Sequence, residues 1–528
     1  MVNCIQEVQY ISSKYLLEFH TGDVMVDFLI NIELHQNSTY QQQIREKLVE
    51  LIEQDTFGDK ALPSGRKMAQ LLKVSRNTVV LVYESLVDEG YLVARKRSGF
   101  FVHPDLLMVQ RLTNSVQTTP EGSTLNARQP NWSKRMLKQP SRLSSLNKDE
   151  NWLKYPYPFI YGHIDVSEFP LYQWRECSRI AESKGKLHEW VEGYIDMDDP
   201  QLVSQIRQQI LSKRGITAKP EEILITLGTQ NSLFLLTNLL ADQSVTFGVE
   251  NPGYANLRHV ISLCDSPIKP LELDNAGLKL GKQLKGCDYV FTTPSHQYPT
   301  TVTMNVERRK GLLEQACKDD FIVIEDDYES EVNFIEQPLP ALKSFDQDGR
   351  VIYVGSLSKS LTPGIRIGYL VADSSLVTEL RKLRALHYRH PPSNNQRIAA
   401  LFISQGYYDS HVRRMRRTFE KRWLLMEQGI KKYLSTCKVS ATPGSFCFWI
   451  ALPNNIQSHD LRDKAAQHGI LIESGDTLFM EKDAPKNYIR LGFSAMDSDK
   501  IIDGLAILGG LINELSHDYI EPLQKRVV

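Results

Sequence analysis

Tyr353-Val-Gly-Ser356-Leu-Ser358-Lys359-Ser-Leu-Thr-Pro-Gly364-Ile-Arg366-Ile-Gly368 decides the architecture of most of this chain. The apolar run Val351–Val354 before it has the length and composition of a buried strand. A single lysine after a strand reads as an ordinary surface charge. Here Ser356 and Ser358 precede Lys359, and Arg366 follows seven residues later. Hydroxyls and a guanidinium suit a dianionic phosphate, and a lysine among them suits a Schiff base with an aldehyde.

Working outward, Phe321-Ile-Val-Ile-Glu325-Asp326-Asp327-Tyr328-Glu-Ser-Glu331 is a second apolar strand that ends in carboxylates. In a parallel sheet, ligands bind beyond the carboxyl ends of the strands, so Asp326 and Lys359 can converge. A carboxylate beside a pyridine nitrogen keeps it protonated and turns pyridoxal 5'-phosphate (PLP) into an electron sink. Tyr328 falls on the same side by strand alternation, within reach of the 3-hydroxyl. Without Lys359, the acidic run reads as a solvated turn or a divalent-metal site.

Four more elements have the same strand-then-loop form. Gly228-Thr229-Gln230 leads into an apolar helix whose N-terminus can cradle phosphate. In Asn251-Pro-Gly-Tyr254 the tyrosine either stacks on a ring or sits in the core. Thr293-Pro-Ser-His-Gln-Tyr298-Pro-Thr is a polar loop. In Tyr488-Ile-Arg490-Leu-Gly-Phe, an arginine within an apolar run needs an anion, either an internal acid or a ligand carboxylate.

Apolar runs at Ile223–Thr226, Val245–Val249, Tyr289–Thr292, Phe321–Ile324, Val351–Val354 and Ile367–Val371 alternate with helical patterns. That alternation predicts a mostly parallel sheet with helices on both faces. The 528 residues exceed one core, and composition is ordinary for a globular chain: 41% hydrophobic, 24% charged, net charge −1. Any nucleic-acid contact must therefore come from a local patch. Seven scattered cysteines, none spaced as C-x-x-C, read as free thiols in a reducing cytoplasm. No apolar run has the length of a membrane span, and no signal peptide is evident.

The N-terminal part has its own pattern. Residues 1–24 read as an extension, with Met25 as a candidate start. Ile44, Leu48, Leu51 and Ile52 form one helical stripe from Tyr40 to Glu53. After the turn Leu62-Pro-Ser-Gly-Arg66 comes a short helix with Met68, Leu71 and Leu72 inward. Ser75 then caps a third helix, whose buried face is Val79, Tyr83, Leu86 and Val87 and whose first turn presents Arg76, Asn77 and Thr78 outward. Residues 91–102 read as two strands joined by a basic turn containing Arg95, Lys96, Arg97 and Gly99. Without that ordered succession, three short helices also suit a dimerisation or docking module. Residues 105–155 read as a polar, net-basic linker.

Residues 25–104 resemble a GntR-type winged helix, and roughly residues 156–515 resemble the fold-type I aminotransferase domain of MocR/GabR-type regulators. The six elements of the large domain occur in that family's order; 516–528 are a tail. The resemblance implies a winged helix-turn-helix joined to an α/β PLP-binding domain with a smaller C-terminal α+β subdomain. It implies Lys359 as the Schiff-base lysine, Asp326 at the ring nitrogen, Tyr328 at the 3-hydroxyl and Tyr254 over the ring. Gly228, Thr229, Gln230, Ser356, Ser358 and Arg366 then surround the phosphate, Tyr298 joins the cofactor site, and Arg490 takes an effector carboxylate. Arg66, Arg76 and Gly99 match DNA-contacting positions. The chain departs from the family at Leu81, where an arginine often sits, and at Gly193-Tyr194-Ile195-Asp196.

The expected function is a cytoplasmic, homodimeric, DNA-binding regulator that senses an amino acid or amine through external aldimine formation at Lys359. The alternatives are an active aminotransferase carrying a DNA-binding domain, and a regulator that senses PLP itself.

Overall fold

The computed structural model describes residues 38–108, 130–143, 151–162, 165–185, 187–191, 197–329, 333–334, 339–481 and 483–518. Residues 1–24, Met25 and the Gly193–Asp196 departure lie outside them. Contacts divide the chain into two units, Met1–Arg135 and Met136–Val528.

In the small unit, α1 (Tyr40–Glu53), α2 (Gly65–Leu72) and α3 (Arg76–Asp88) precede a hairpin of β1 (Leu92–Arg95) and β2 (Gly99–Val102). The helix starts are local chemistry. Thr39, Ser64 and Ser75 each accept a hydrogen bond from a backbone N–H of the following turn, satisfying donors that a helix start leaves open. The core joins Ile44, Leu48, Met68, Val79, Val82, Tyr83 and Leu86. Tyr83 Oη donates to the Pro63 carbonyl at 2.8 Å, and its ring meets Phe100 edge-on at 4.9 Å, which fastens the hairpin to the turn before α2.

Two sequence expectations shift here. Leu71 is exposed and Ala69 takes the inward position, because a two-turn helix buries only a narrow stripe. Leu107 is buried in this same core, so the packed unit runs past the expected boundary at residue 104.

In the large unit, the described elements used below are β3 (Tyr157–Pro158), α4 (Leu171–Ala181), β4 (Ile223–Thr226), α5 (Thr229–Leu240), β5 (Phe247–Asn251), α6 (Ala255–Leu263), β6 (Ile268–Asp274), β7 (Gly277–Leu278), β8 (Tyr289–Thr292), α7 (Val306–Asp319), β9 (Ile322–Asp326), β10 (Val351–Ser356), β11 (Gly368–Val371), α8 (Ser374–Tyr388), α9 (Ser393–Ser404), α10 (Tyr407–Tyr433), β12 (Lys438–Ser440), β13 (Cys447–Ala451), α11 (Ser458–Gln467), β14 (Ile470–Leu471), β15 (Glu473–Ser474), β16 (Tyr488–Gly492) and α12 (Ile501–Asp518). The main sheet has the order β4-β11-β10-β9-β8-β5-β6-β7. Strands β10, β9, β8, β5 and β6 are parallel, while β11 runs antiparallel to both β10 and β4.

All six expected strands are present. The runs at Val245–Val249, Phe321–Ile324, Val351–Val354 and Ile367–Val371 differ by one or two residues at their ends: β5, β9 and β10 reach on to the polar residues Asn251, Asp326 and Ser356. Ladder pairing, unlike hydropathy, does not stop where side chains turn polar.

A second sheet, β12-β13-β16-β15, is antiparallel and forms the smaller subdomain. β3 pairs with β14. The Phe159 carbonyl then accepts from Gly492 N at 3.1 Å, which carries residues 159–162 to the end of β16.

Candidate functional site

Because β4, β5, β8, β9 and β10 run the same way, their carboxyl ends share one edge of the sheet. Each end delivers a side chain to a cavity of about 310 Å³. Thr229 and Gln230 come from β4, Tyr254 from β5, Tyr298 from β8, Asp326 and Tyr328 from β9, and Ser356, Ser358 and Lys359 from β10. Arg366, at the start of antiparallel β11, and Arg490, in β16, complete it. Every expected cofactor residue lines this cavity except Gly228, which stands directly behind it.

Gly228 adopts φ +101° at the start of α5. Its position is tight: a Cβ on Gly368 would stand 2.5 Å from the Gly228 Cα. A Cβ on Gly228 would stand 3.4 Å from Arg366 Nη2 and 3.6 Å from Ser358 Oγ. The α5 N-terminus, Arg366 and Ser358 therefore face one small space. Ser358 Oγ is buried there without a hydrogen-bond partner among the described residues, while its N–H donates to Ser356 Oγ at 3.2 Å.

The acidic run separates by side-chain direction. Glu325 accepts from the Leu342 and Lys343 backbone N–H groups at 2.7 and 2.8 Å. Asp327 accepts from Arg214 Nε and Tyr353 Oη, each at 2.7 Å, and stays below the usual carboxylate range despite burial because of Arg214. Asp326 points the other way, into the cavity. Thr229 hydrogen-bonds its carboxyl, and Oδ1 has no partner among the described residues. Burial first, then the neighbouring Asp327 charge, push its pKa well above the ordinary value. A buried carboxyl with an open oxygen lacks a cationic donor, and a protonated pyridine nitrogen is one. With the open Ser358 hydroxyl near Arg366, these residues fit PLP.

Tyr254 Oη donates to Gln230 Oε1 at 2.8 Å and so fixes its ring on the cavity wall. Tyr328 Oη donates to the His296 carbonyl at 2.9 Å, which leaves its oxygen as an acceptor. The loop 293–298 is anchored by buried Glu250, which accepts from the Thr292 and Thr293 hydroxyls at 2.5 and 2.7 Å and from Gln297 Nε2 at 3.1 Å.

Arg490 has an internal acid after all. Glu473, opposite it in register on β15, accepts from Arg490 Nε at 2.8 Å. Burial opposes the charge, but Glu473 more than offsets this and the pKa rises. Among the described residues Nη1 has no partner, which leaves the guanidinium a donor for an anion.

Tyr161, singled out by no motif, lies between the two cations: Lys359 Nζ is 4.2 Å and Arg490 Cζ 4.5 Å from its ring centroid. By contrast, Arg381 and Arg384 bind Asp198 at 2.6 and 2.5 Å, and Arg397 binds Asp199 at 2.7 Å. The stretch from Arg381 to Arg397 is thus a structural helix and loop, and none of it lines the cavity.

In the small unit, Arg66, Ser75, Arg76, Asn77, Arg95, Lys96, Arg97 and Gly99 are exposed and Thr78 is half-buried. Ser75 Oγ accepts from Thr78 N at 3.1 Å and lies 2.8 Å from Thr78 Oγ1, so both hydroxyls serve the cap. Arg76 and Asn77 stand clear beside them. The Ser98 N–H closes the wing turn on the Arg95 carbonyl at 3.0 Å, with Gly99 at φ +107°. Leu81 is exposed on the outer face of α3.

Comparison with known proteins matches residues 173–506 to the aminotransferase class I and II family and residues 40–102 to bacterial regulatory proteins of the gntR family. The transcriptional regulator TauR of Rhodobacter capsulatus is 37% identical over 88% of this chain and 95% of its own length. The probable rhizopine catabolism regulatory protein MocR of Rhizobium meliloti is 31% identical over 72% of this chain and 75% of its own. The crystal structure of LysN, an α-aminoadipate aminotransferase of Thermus thermophilus holding N-(5'-phosphopyridoxyl)-L-leucine, covers 74% of this chain and 100% of its own at 25% identity and TM-score 0.66.

Proposed function

The chain belongs to the gntR-type transcription regulators that carry an aminotransferase class I and II domain, and we propose that it senses a small amine or amino acid at Lys359 and transmits occupancy to DNA through its winged helix. The observation that carries this reading is the open Oδ1 of buried Asp326 in the same cavity as Lys359.

PLP, when bound, supplies an aldehyde that condenses with primary amines and absorbs visible light. The chain's own groups do the rest. Asp326 would hold the proton of the ring nitrogen, and Tyr254, on the cavity wall, would pack against the ring. Backbone N–H groups at Gly228–Gln230, with Ser356, Ser358 and Arg366, hold the phosphate. Lys359 would hold the aldehyde carbon through its side-chain amine. Arg490, braced by Glu473, offers Nη1 to a ligand carboxylate or similar anion. On the small unit, Arg76, Asn77 and Arg66 meet DNA at and beside α3, and the basic wing meets the backbone. A ligand drives regulation only through unequal affinity for two conformations. Two half-sites bound by a homodimer suit that arrangement.

A second reading, an active aminotransferase, rests on the complete set of lysine, aspartate and anion-binding arginine in one cavity. One experiment separates the two: operator binding and turnover are measured with a panel of amino acids, in full-length protein and without residues 1–104. A change in operator affinity without turnover supports the sensor. Turnover that survives the truncation, with operator affinity indifferent to ligand, overturns it.

A further inference from the structure

Glu329 lies just beyond the acidic run, fully buried, on the side of Tyr161 and Lys359. The charged and titratable groups facing it come from every neighbouring element: Tyr161 after β3, His296 after β8, Tyr328 beside it, Lys359 after β10, Cys447 in β13 and Arg490 in β16. Among the described residues, the Tyr161 hydroxyl and the Phe446 backbone N–H are donors that reach its carboxyl.

His296 sharpens the case. Its Nδ1 stands 3.7 Å from Glu329 Oε2 and has no other partner. Its hydrogen bond to the Pro443 carbonyl must therefore run through Nε2, and burial holds its pKa down to about 4. Nδ1 is then a bare acceptor facing a carboxyl. Two acceptors side by side in a buried site call for a shared proton, and the carboxyl is the group that can carry it. Burial outweighs the Tyr161 hydroxyl and the Lys359 and Arg490 charges, which pull the other way, and Glu329 is raised to about 7. The Tyr161 ring that its carboxyl faces holds Lys359 Nζ 4.2 Å from the ring centroid.

We propose that Glu329, with the Tyr161 hydroxyl, is a positioning pair that sets the proton held at the Lys359 nitrogen and keeps the Tyr161 ring between Lys359 and Arg490. The ionised carboxylate favours the protonated nitrogen, and a proton taken up by the carboxyl, which faces the bare His296 Nδ1, weakens that field. Atoms balance, because the only change is a proton taken up or released at Glu329 or at the Lys359 nitrogen, and no bond to carbon changes. This rests on Lys359 as the cofactor-bearing lysine.

The test is the pH titration of the visible band of full-length protein loaded with PLP. Glu329→Gln removes the charge at constant shape, and its midpoint is expected to fall by about 1–3 pH units, the effect of losing an opposite charge at close range. Tyr161→Phe removes a donor that favours the ionised carboxylate, so its midpoint falls too, by less. The double variant shifts no further than Glu329→Gln alone, since the hydroxyl acts through the carboxyl. A packing role alone would lower the melting temperature of the apo-protein and leave the midpoint in place. Unmoved midpoints in the loaded variants overturn the proposal, and if Glu329→Gln does not load, Tyr161→Phe decides alone. A wild-type protein without any cofactor band overturns the Lys359 reading and this proposal together, a pattern distinct from an unmoved midpoint.

Discussion

The two units solve opposite electrostatic problems. The small one keeps its cations in water: Arg66, Arg76, Arg95, Lys96 and Arg97 are all exposed, and no acid among its described residues is buried. The large one takes charge out of water. Asp326, Asp327, Glu329, Glu473 and Arg490 are buried together, and their partners decide which remains available. A surface that meets a polyanion gains from long-range attraction and needs little preorganisation. A cavity that grips one small molecule must fix its dipoles beforehand, at a desolvation cost offset by mutual pairing. The open Oδ1 of Asp326, Nη1 of Arg490 and Oγ of Ser358 are among the places where, within the described residues, that pairing was left incomplete.

The contrast can be broken by substitutions confined to one unit. The largest effect is expected from Lys359→Ala, which removes the covalent anchor: the visible band disappears from protein incubated with PLP, while the apo-protein retains operator binding. A persistent band would mean that another lysine carries the cofactor. Arg76→Ala is next. Operator affinity falls by about 1–3 kcal/mol, roughly 5- to 150-fold, in a fluorescence titration, and the cofactor spectrum stays as it was. Loss of both would mean that the small unit's cations also hold the large unit's fold.

Gly368→Ala tests the tightness of the cavity wall. Its Cβ meets the Gly228 backbone at 2.5 Å, where nothing can yield cheaply, so about 1–3 kcal/mol of large-unit stability is lost and PLP affinity drops with it.

Titration sharpens the comparison further. Glu325 and Glu329 are raised by burial from 4.5 to about 7. A raised acid contributes stability in full below its unfolded value and loses it as pH rises through the folded value. Calorimetry of the apo-protein should therefore show the large-unit transition falling between about pH 4.5 and 7, with a flatter slope in Glu325→Gln. The smallest effect is Ser75→Ala, a lost cap costing about 1 kcal/mol in the small-unit transition alone.

The same division explains what could be read from sequence. Caps, turn glycines and strand runs are local, so Ser75, Gly99 and all six strands were legible, with ends displaced by one or two residues. The convergence of Lys359, Asp326, Tyr254 and Gly228 was legible too, because parallel strands put their carboxyl ends on one edge. Pairings across the chain were not. Glu473 meets Arg490 only through the β15–β16 register, and Tyr161 reaches Lys359 only because residues 159–162 are carried along β16. Neither belongs to a motif. Glu329 carried a faint signal, as a further acid next to an acidic run that already had its partners to find. Leu71 misled because hydropathy marks a face without fixing which edge of a two-turn helix turns inward.

The central claim is that occupancy at Lys359 is read out on DNA. The most direct measurement follows the visible band and operator affinity together while a panel of amino acids and amines is titrated into the PLP-loaded protein. A ligand that shifts the band, leaves it shifted and changes operator affinity at the same concentration is the expected result. A band that bleaches, recovers on addition of a keto acid and leaves operator affinity untouched would contradict it.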